Sequence, residues 1–388
     1  VTTVGISSKL KKLKKRRILV ISSGGGIQGS IQCLFISMQN TWELISHLTL
    51  PFPQKINALY EKLQRPSSER LFIEDVSLLD LKITQFCLEA IKTTTTSLPT
   101  QLKKPHYIVF NKPQLWRGPS GDNSQQLFWD LSSGDPQLIA STIEVPVITD
   151  FIRNNLIAGG PGILPLNPGN FHIVSRNKGK TVLINIGFIT HITIINTENA
   201  QICADSDVGP GTVLLNQLIS NLNTSESFDR DGAMASQGKV DSHILDILAS
   251  SEWFQKSTPK TATPDTFSEL LEHQLLSTLS PEDKVATLTA LTARTVYDFC
   301  KKEMLSHDKE IGVYISGGGA HNQTLIEYLA TYFDPVPIKT VEDLGIPFEM
   351  YMPLALGLTV DAFITGAPIP WQTGNSPSLS SIGRWVLP

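Results

Sequence analysis

The chain has 388 residues, 41% of them apolar and 18% charged, with a formal net charge of −4. That is long enough for two domains with real cores and too apolar for wholesale disorder. The mild negative charge removes any global electrostatic case for nucleic acid as a partner.

One local exception is the basic run Lys9-Leu-Lys-Lys-Leu-Lys-Lys-Arg-Arg17. Residues 1–16 are read as a basic, flexible, solvated tail, with a tag for an anionic surface or the nucleus as the other reading. Cys33, Cys87, Cys203 and Cys300 are far apart and lack C-x-x-C spacing. They read as small buried hydrophobes in a reducing compartment. No stretch reaches the roughly 18 apolar residues that span a bilayer, and no signal-peptide pattern is present. The expectation is a cytoplasmic protein without a membrane span.

Along the chain, Arg17 to Ile21 predicts a strand, Ser22 to Gly29 a glycine turn, and Ser30 to Ile36 a returning strand. Helical spacing follows over residues 70–93, with Phe72, Val76, Leu79, Ile83, Phe86 and Ala90 on one side. His106 to Phe110 is a buried strand, and residues 117–138 read as a loop rich in Gly, Ser, Asp and Pro. Val145 to Ile148 is extended. Asp150 to Pro168 predicts a helical turn and then an irregular loop. Thr181 to Ile186, Thr190 to Ile195 and Gln201 to Ala204 are three successive strands. Ala204-Asp-Ser-Asp-Val-Gly-Pro-Gly211 reads as a second glycine turn carrying carboxylates. Gly211 starts a helix, and Val285 to Glu303 is a long helix with Leu288, Leu291, Val296 and Phe299 inward. A strand over 311–316 ends in Gly317-Gly-Gly319, where bare backbone lets a flat or charged ligand approach. Helices at Gln323 to Tyr332 and Leu354 to Phe363 complete the order. The repeated strand-helix order predicts a duplicated α/β fold with mixed sheets and a central cleft, its glycine clusters at strand ends. The lobes are expected at 17–150 and 151–388, with the C-terminal helix packing back on the first.

Seven segments carry a family resemblance. They are Asn185-Ile-Gly-Phe-Ile-Thr-His-Ile-Thr193, Asp207-Val-Gly-Pro-Gly211, Asp229-Arg-Asp-Gly-Ala233 with Gly238, and Pro259-Lys-Thr-Ala262 with Phe267. Ala286-Thr-Leu-Thr-Ala-Leu-Thr-Ala293, Gly317-Gly-Gly-Ala-His-Asn322 and Gly374-Asn-Ser-Pro-Ser378 follow. In this order they resemble the anhydro-N-acetylmuramic acid kinases, over most of residues 18–382. The resemblance implies the actin-like (RNase H-like) two-lobe fold of the hexokinase and Hsp70 superfamily. It also implies ATP-dependent, hydrolytic phosphorylation of 1,6-anhydro-N-acetylmuramic acid at O6, a step of cell-wall amino-sugar recycling. ATP and Mg2+ are the implied cofactors, an amino sugar the implied small-molecule partner, and a homodimer the expected assembly.

By the resemblance the nucleotide lies on Ser23, Gly24, Gly25, Gly26, Asp207, Gly209, Gly211, Gly317, Gly318, Gly319 and Asn322. Asn111, Gln114, Arg153, Gly159 and Gly160 are the sugar-side positions, and Asp207 is the Mg2+ position. The family's base falls at Asn155, an amide. The aspartates of its S-G-T-S-x-D-G-x-D hairpin fall at Gln28 and Gln32. Its sugar-side H-G-Q-T is Asn111-Lys-Pro-Gln114, its arginine falls at Ile152 with Arg153 one place late, and a later carboxylate falls at Met352. Amides carry no charge, cannot act as bases near pH 7 and cannot neutralise Mg2+. Asp150 is the first carboxylate to consider as a substitute base, its other reading being a helix N-cap. Lys260 is read either as a phosphate contact or as an exposed loop lysine. His191 is expected in the wall of the core or cleft. Three readings stand: a working kinase, a pseudokinase that binds nucleotide or a partner, and an interaction module without nucleotide.

Overall fold

The structure is a computed structural model that describes residues 8–24, 29–64, 73–117, 130–160, 162–222, 226–304, 311–367 and 382–388. Gly25, Gly26, Gln28 and the Gly374 to Ser378 segment lie outside the described residues. The chain divides into two compact units, Val1–His172 with Glu349–Ile369 and Asn375–Pro388, and Ile173–Phe348 with Pro370–Gly374.

The first unit is built on a six-stranded sheet. β1 (Arg16–Gly24), β2 (Ser30–Met38) and β3 (Trp42–Pro51) form an antiparallel meander. β4 (Tyr107–Asn111) runs parallel to β1. β5 (Gln114–Arg117) and β6 (Asp130–Ser132) pair with each other as a separate two-stranded sheet. β7 (Val147–Thr149) adds parallel to β4 on the main sheet. β1 is apolar on both faces because both faces are covered. Leu19 and Ile21 pack with Leu79, Ile83 and Cys87 of the helix Ile73–Thr96. The helix Tyr351–Thr365 packs on β1, β2 and β4, and a Cβ added at its Gly357 would lie 2.7 Å from Val20 Cγ2. Arg16 anchors that helix: its Nε and Nη2 donate to the two carboxylate oxygens of Asp361 at 2.5 and 2.9 Å. Residues 8–16, read from sequence as part of a tail, thus include a packed stretch in which Leu10 and Arg16 are buried.

The second unit repeats the plan. β8 (Lys180–Ile186), β9 (Ile189–Asn196) and β10 (Gln201–Pro210) form an antiparallel meander. β11 (Ile311–Ser316) runs parallel to β8 and β12 (Ile338–Thr340) parallel to β11. The order β10-β9-β8-β11-β12 matches β3-β2-β1-β4-β7 strand for strand, and the first sheet gains β13 (Arg384–Val386) beyond β7. The fold is therefore the expected duplicated α/β fold with mixed sheets. One core packs β8, β9 and β11 with Ala293, Val296 and Cys300 of the helix Pro281–Met304 and with Leu325, Leu329 and Phe333 of the helix Gln323–Phe333. A further core gathers residues 213–291, including Leu215, Leu245, Phe267 and Leu288.

Two sequence expectations change. Ala204 to Pro210 is strand, not turn: β10 continues through it, and register shifts at Ile202/Ala204 and Asp207/Gly209 absorb the irregular residues. β3 is an edge strand that the sequence reading passed over; a register shift at Phe35/Ile36 interrupts its pairing with β2.

Candidate functional site

The strand ends of the second unit bring several motifs together. β11 ends at Ser316, and Gly317 leaves it with φ +85°, a backbone conformation that L side chains rarely adopt. A Cβ there would lie 2.6 Å from Ile186 O, and one at Gly319 would collide with Ile186 Cγ2. Gly318 differs: it is exposed and nothing lies within 4 Å of an added Cβ. Asn322 caps the helix Gln323–Phe333 by accepting from Leu325 N at 2.9 Å. Thr324 Oγ1 donates to Gly232 O at 2.9 Å, which joins the Asp229 to Gly232 turn to this edge. Asp229 accepts from Met234 N and Ala235 N at 2.8 and 3.1 Å and so holds the turn closed.

Gly209 and Gly211 face packed atoms as well. A Cβ at Gly209 would lie 2.5 Å from Thr295 Oγ1, and Thr292 Oγ1 donates to Gly211 O at 3.0 Å. Both threonines belong to the helix Pro281–Met304, so that helix packs against the end of β10 and the residue after it. Lys260 is not a free loop lysine. Its Nζ donates to Trp253 O and Phe254 O at 2.9 and 3.1 Å and lies 4.1 Å from the Trp253 ring centroid. Burial, with Lys256 adding to it, pushes its pKa down to about 8.

Asp207 is tied on both oxygens. His191 Nδ1 lies 2.8 Å from Oδ1, and Ala262 N donates to Oδ2 at 2.8 Å. His191 Nε2 lies 3.0 Å from Asp205 Oδ1, which Thr193 Oγ1 also reaches at 2.8 Å. Burial alone would lower the histidine's pKa; the Asp205 and Asp207 carboxylates outweigh it and push it up to about 10. Sequence reasoning singled out Asp207 but not Asp205. The signal was there: two residues apart on a strand, both carboxylates share one face. Reading the segment as a turn hid it.

In the first unit, Ser23 and Gly24 end β1, and a Cβ at Gly24 would lie 2.8 Å from Gln32 Nε2. Asn111 ends β4 and its Nδ2 donates to Ser22 Oγ at 3.1 Å across the parallel pair. Gln114 Nε2 donates to Asp130 Oδ1 at 2.6 Å, and Arg153 Nη2 donates to Asp130 O at 3.0 Å. Asp130 is buried and was not foreseen; it starts β6 inside residues 117–138, which read only as polar loop. Asn155 Oδ1 accepts from Gly162 N at 2.6 Å and Ile163 N at 3.3 Å, while Gly160 lies against the same amide. Gly159, with φ +80°, has open space around it. Asp150 stands at the N-cap position of the helix Phe151–Ile157 but makes no side-chain cap. Its oxygens go instead to Lys112 Nζ and Arg384 Nε, each at 2.7 Å. Burial pushes its carboxyl up, yet Lys112 and Arg384 outweigh that and hold it below the usual range.

A sequence model of the anhydro-N-acetylmuramic acid kinase family matches residues 15–384. The chain belongs to the anhydro-N-acetylmuramic acid kinase family. Among its relatives are the anhydro-N-acetylmuramic acid kinases of Pseudomonas syringae pv. syringae, 29% identical over 95% of this chain and 96% of the relative, and of Pseudomonas syringae pv. tomato, 30% identical over the same shares. A solved structure, the activator of the 2-hydroxyisocaproyl-CoA dehydratase from Clostridium difficile with bound ADPNP, is similar with a TM-score of 0.41. Its identity is 11%, over 91% of this chain and 96% of that one. Among the described residues no helix is long and apolar enough to cross a membrane. The family motifs of the second unit interlock: Ala262 N–H binds Asp207 and Thr292 binds Gly211, while Thr324, just past the triple-glycine motif, binds Gly232.

Proposed function

We propose that this chain is a nucleotide-binding member of the anhydro-N-acetylmuramic acid kinase family in which phosphoryl transfer to 1,6-anhydro-N-acetylmuramic acid is very weak or absent. Asn155 carries the reading. The amide at the family's base position has its oxygen engaged by two backbone N–H groups, and it has no charge with which to take a proton from water. Asp150 offers no replacement, because both its oxygens face cations. Support for retained nucleotide binding is Gly318, exposed and open where its neighbours are packed. ATP, when bound, would supply the phosphoryl group, and the backbone at Gly318 would lie against it. The domain assignment that goes with this reading keeps Asp207, Gly209, Gly211 and Gly317 to Gly319 on the second unit, and the nucleotide positions Ser23 and Gly24 with the sugar positions Asn111, Gln114 and Arg153 on the first.

ADP release by the purified protein, with the anhydro sugar and Mg-ATP, tests the reading. A rate near the common enzyme value of about 10 per second would overturn it. One observation favours a working kinase as the second reading. Asp130 is a buried carboxylate hydrogen-bonded by the sugar-side Gln114, and it would be the base. If turnover is found, Asp130→Asn abolishes it under that reading, while Asp150→Asn does not.

A further inference from the structure

Asp207 is the carboxylate that the family resemblance offers to a divalent cation, so its surroundings decide whether this chain can hold one there. Mg2+ demands near-octahedral oxygen ligands at about 2.1 Å, usually one or two carboxylate oxygens with water and phosphate completing the set. Each Asp207 oxygen already has a donor. Oδ1 lies 2.8 Å from His191 Nδ1, and Oδ2 accepts from Ala262 N at 2.8 Å. The other ring nitrogen faces Asp205 Oδ1 at 3.0 Å. An imidazole between two carboxylates donates to both only as the imidazolium. The side chains of Asp205 and Asp207 are 8% and 12% exposed, so water does little to screen the three charges. A divalent ion bound directly to Asp207 would have to displace these donors. The residues present do not fit Mg2+.

We infer that His191 occupies the Asp207 carboxylate in the place of a directly bound divalent metal, so that nucleotide bound by this chain is bound without a metal held by that carboxylate. The second half rests on the nucleotide-binding reading; the first concerns Asp207 alone.

Mn2+ titration followed by electron paramagnetic resonance, on the full chain without nucleotide, separates the two halves. The wild-type protein should show no saturable Mn2+ site that Asp207→Asn removes. The double variant His191→Asn, Asp205→Ala removes the cation together with the carboxylate that would otherwise be left facing Asp207. It should bind Mn2+ at least about tenfold more tightly than wild type, and Asp207→Asn in that background should abolish the gain. An Asp207-dependent Mn2+ site in the wild type overturns the inference, whether or not the variant folds. So does a folded double variant that gains no site. Calorimetric titration with ATP, in EDTA and in excess Mg2+, reads the second half. Equal dissociation constants support it, and a Mg2+ requirement that Asp207→Asn abolishes overturns it. Binding under neither condition sinks the nucleotide reading and the second half together, while the Mn2+ result still decides the first.

Discussion

A side chain added at Gly318 meets nothing within 4 Å, whereas one at Gly319 runs into Ile186. Gly318→Val should therefore keep the wild-type unfolding midpoint and lose nucleotide binding, measured by calorimetry. Gly319→Val should lose about 2 kcal/mol of stability through overpacking. Equal destabilisation by both would show that Gly318 is a packing glycine too. At His191 the balance is between a desolvated cation and the two carboxylates that surround it. His191→Asn leaves Asp205 and Asp207 without that cation and should cost about 3 kcal/mol in denaturant unfolding. The pH dependence has a definite sign, since the folded pKa is raised to about 10. The histidine's contribution is complete below about pH 6.5, the unfolded value, and is lost as pH rises through the folded one. Wild type should lose stability across that window and His191→Asn should not; parallel losses in both would discard the ion triad. Asn155→Asp supplies a carboxylate, but one that accepts from Gly162 N and Ile163 N, which holds its pKa down. It should fold normally and raise ADP release by less than about tenfold, short of what a working base supplies. A rise of several orders of magnitude would mean that the rest of the machinery is intact.

At the scale of elements, strands buried on both faces were the most legible. β1, β8 and β11 are runs of Ile, Val and Leu, and such runs are covered on both sides wherever they occur. The long helix Pro281–Met304 was equally plain, because its apolar positions recur at helical spacing. β10 was not, because Asp205, Ser206, Asp207, Gly209 and Pro210 have the composition of a turn. Its carboxylates are tolerated on a buried strand only because β9 presents His191 and Thr193 opposite them, and no local pattern announces a partner strand. The candidate site divided in the same way. Glycine clusters at strand ends were visible, but whether a given glycine is open or packed depends on residues far away in the chain. Asp150 shows how such remote partners act on an element. It joins Lys112, which follows β4, to Arg384 of the short edge strand β13. Asp150→Asn should weaken these charged hydrogen bonds by about 2 kcal/mol in all. Faster amide exchange at Trp385 and Val386, with little change in β1, is the expected readout. Because the folded pKa of Asp150 is depressed, its stabilisation is present above the unfolded value of about 4 and fades as pH falls through the folded one. Unchanged exchange in β13 would show that the strand is held by its backbone pairing alone.

At the scale of the whole molecule, the duplication was readable from the order of strands and helices, and both sheets confirm it. The first unit is not continuous, and the strand β13 that returns to it with the C-terminal helix had no signal in the sequence. Its sheet takes the helix Tyr351–Thr365 and strand β13 from beyond residue 348, after the main body of the second unit. During synthesis, β1 and β2 therefore emerge long before the helix that covers one of their faces, leaving Val20 and Ile36 to wait for it in water. The second unit, although later in the chain, has all the strands of its sheet at hand once β12 is made. It should be the first to fold, and the first unit should spend that interval as a half-covered sheet, open to chaperones and to aggregation. A chain stopped after residue 348 makes the point measurable: protease-resistant fragments should map to residues 173–348, and the remainder should bind a hydrophobic dye. Protection of residues 8–172 in that truncated chain would show that the first sheet matures on its own and that the returning helix only closes a finished structure.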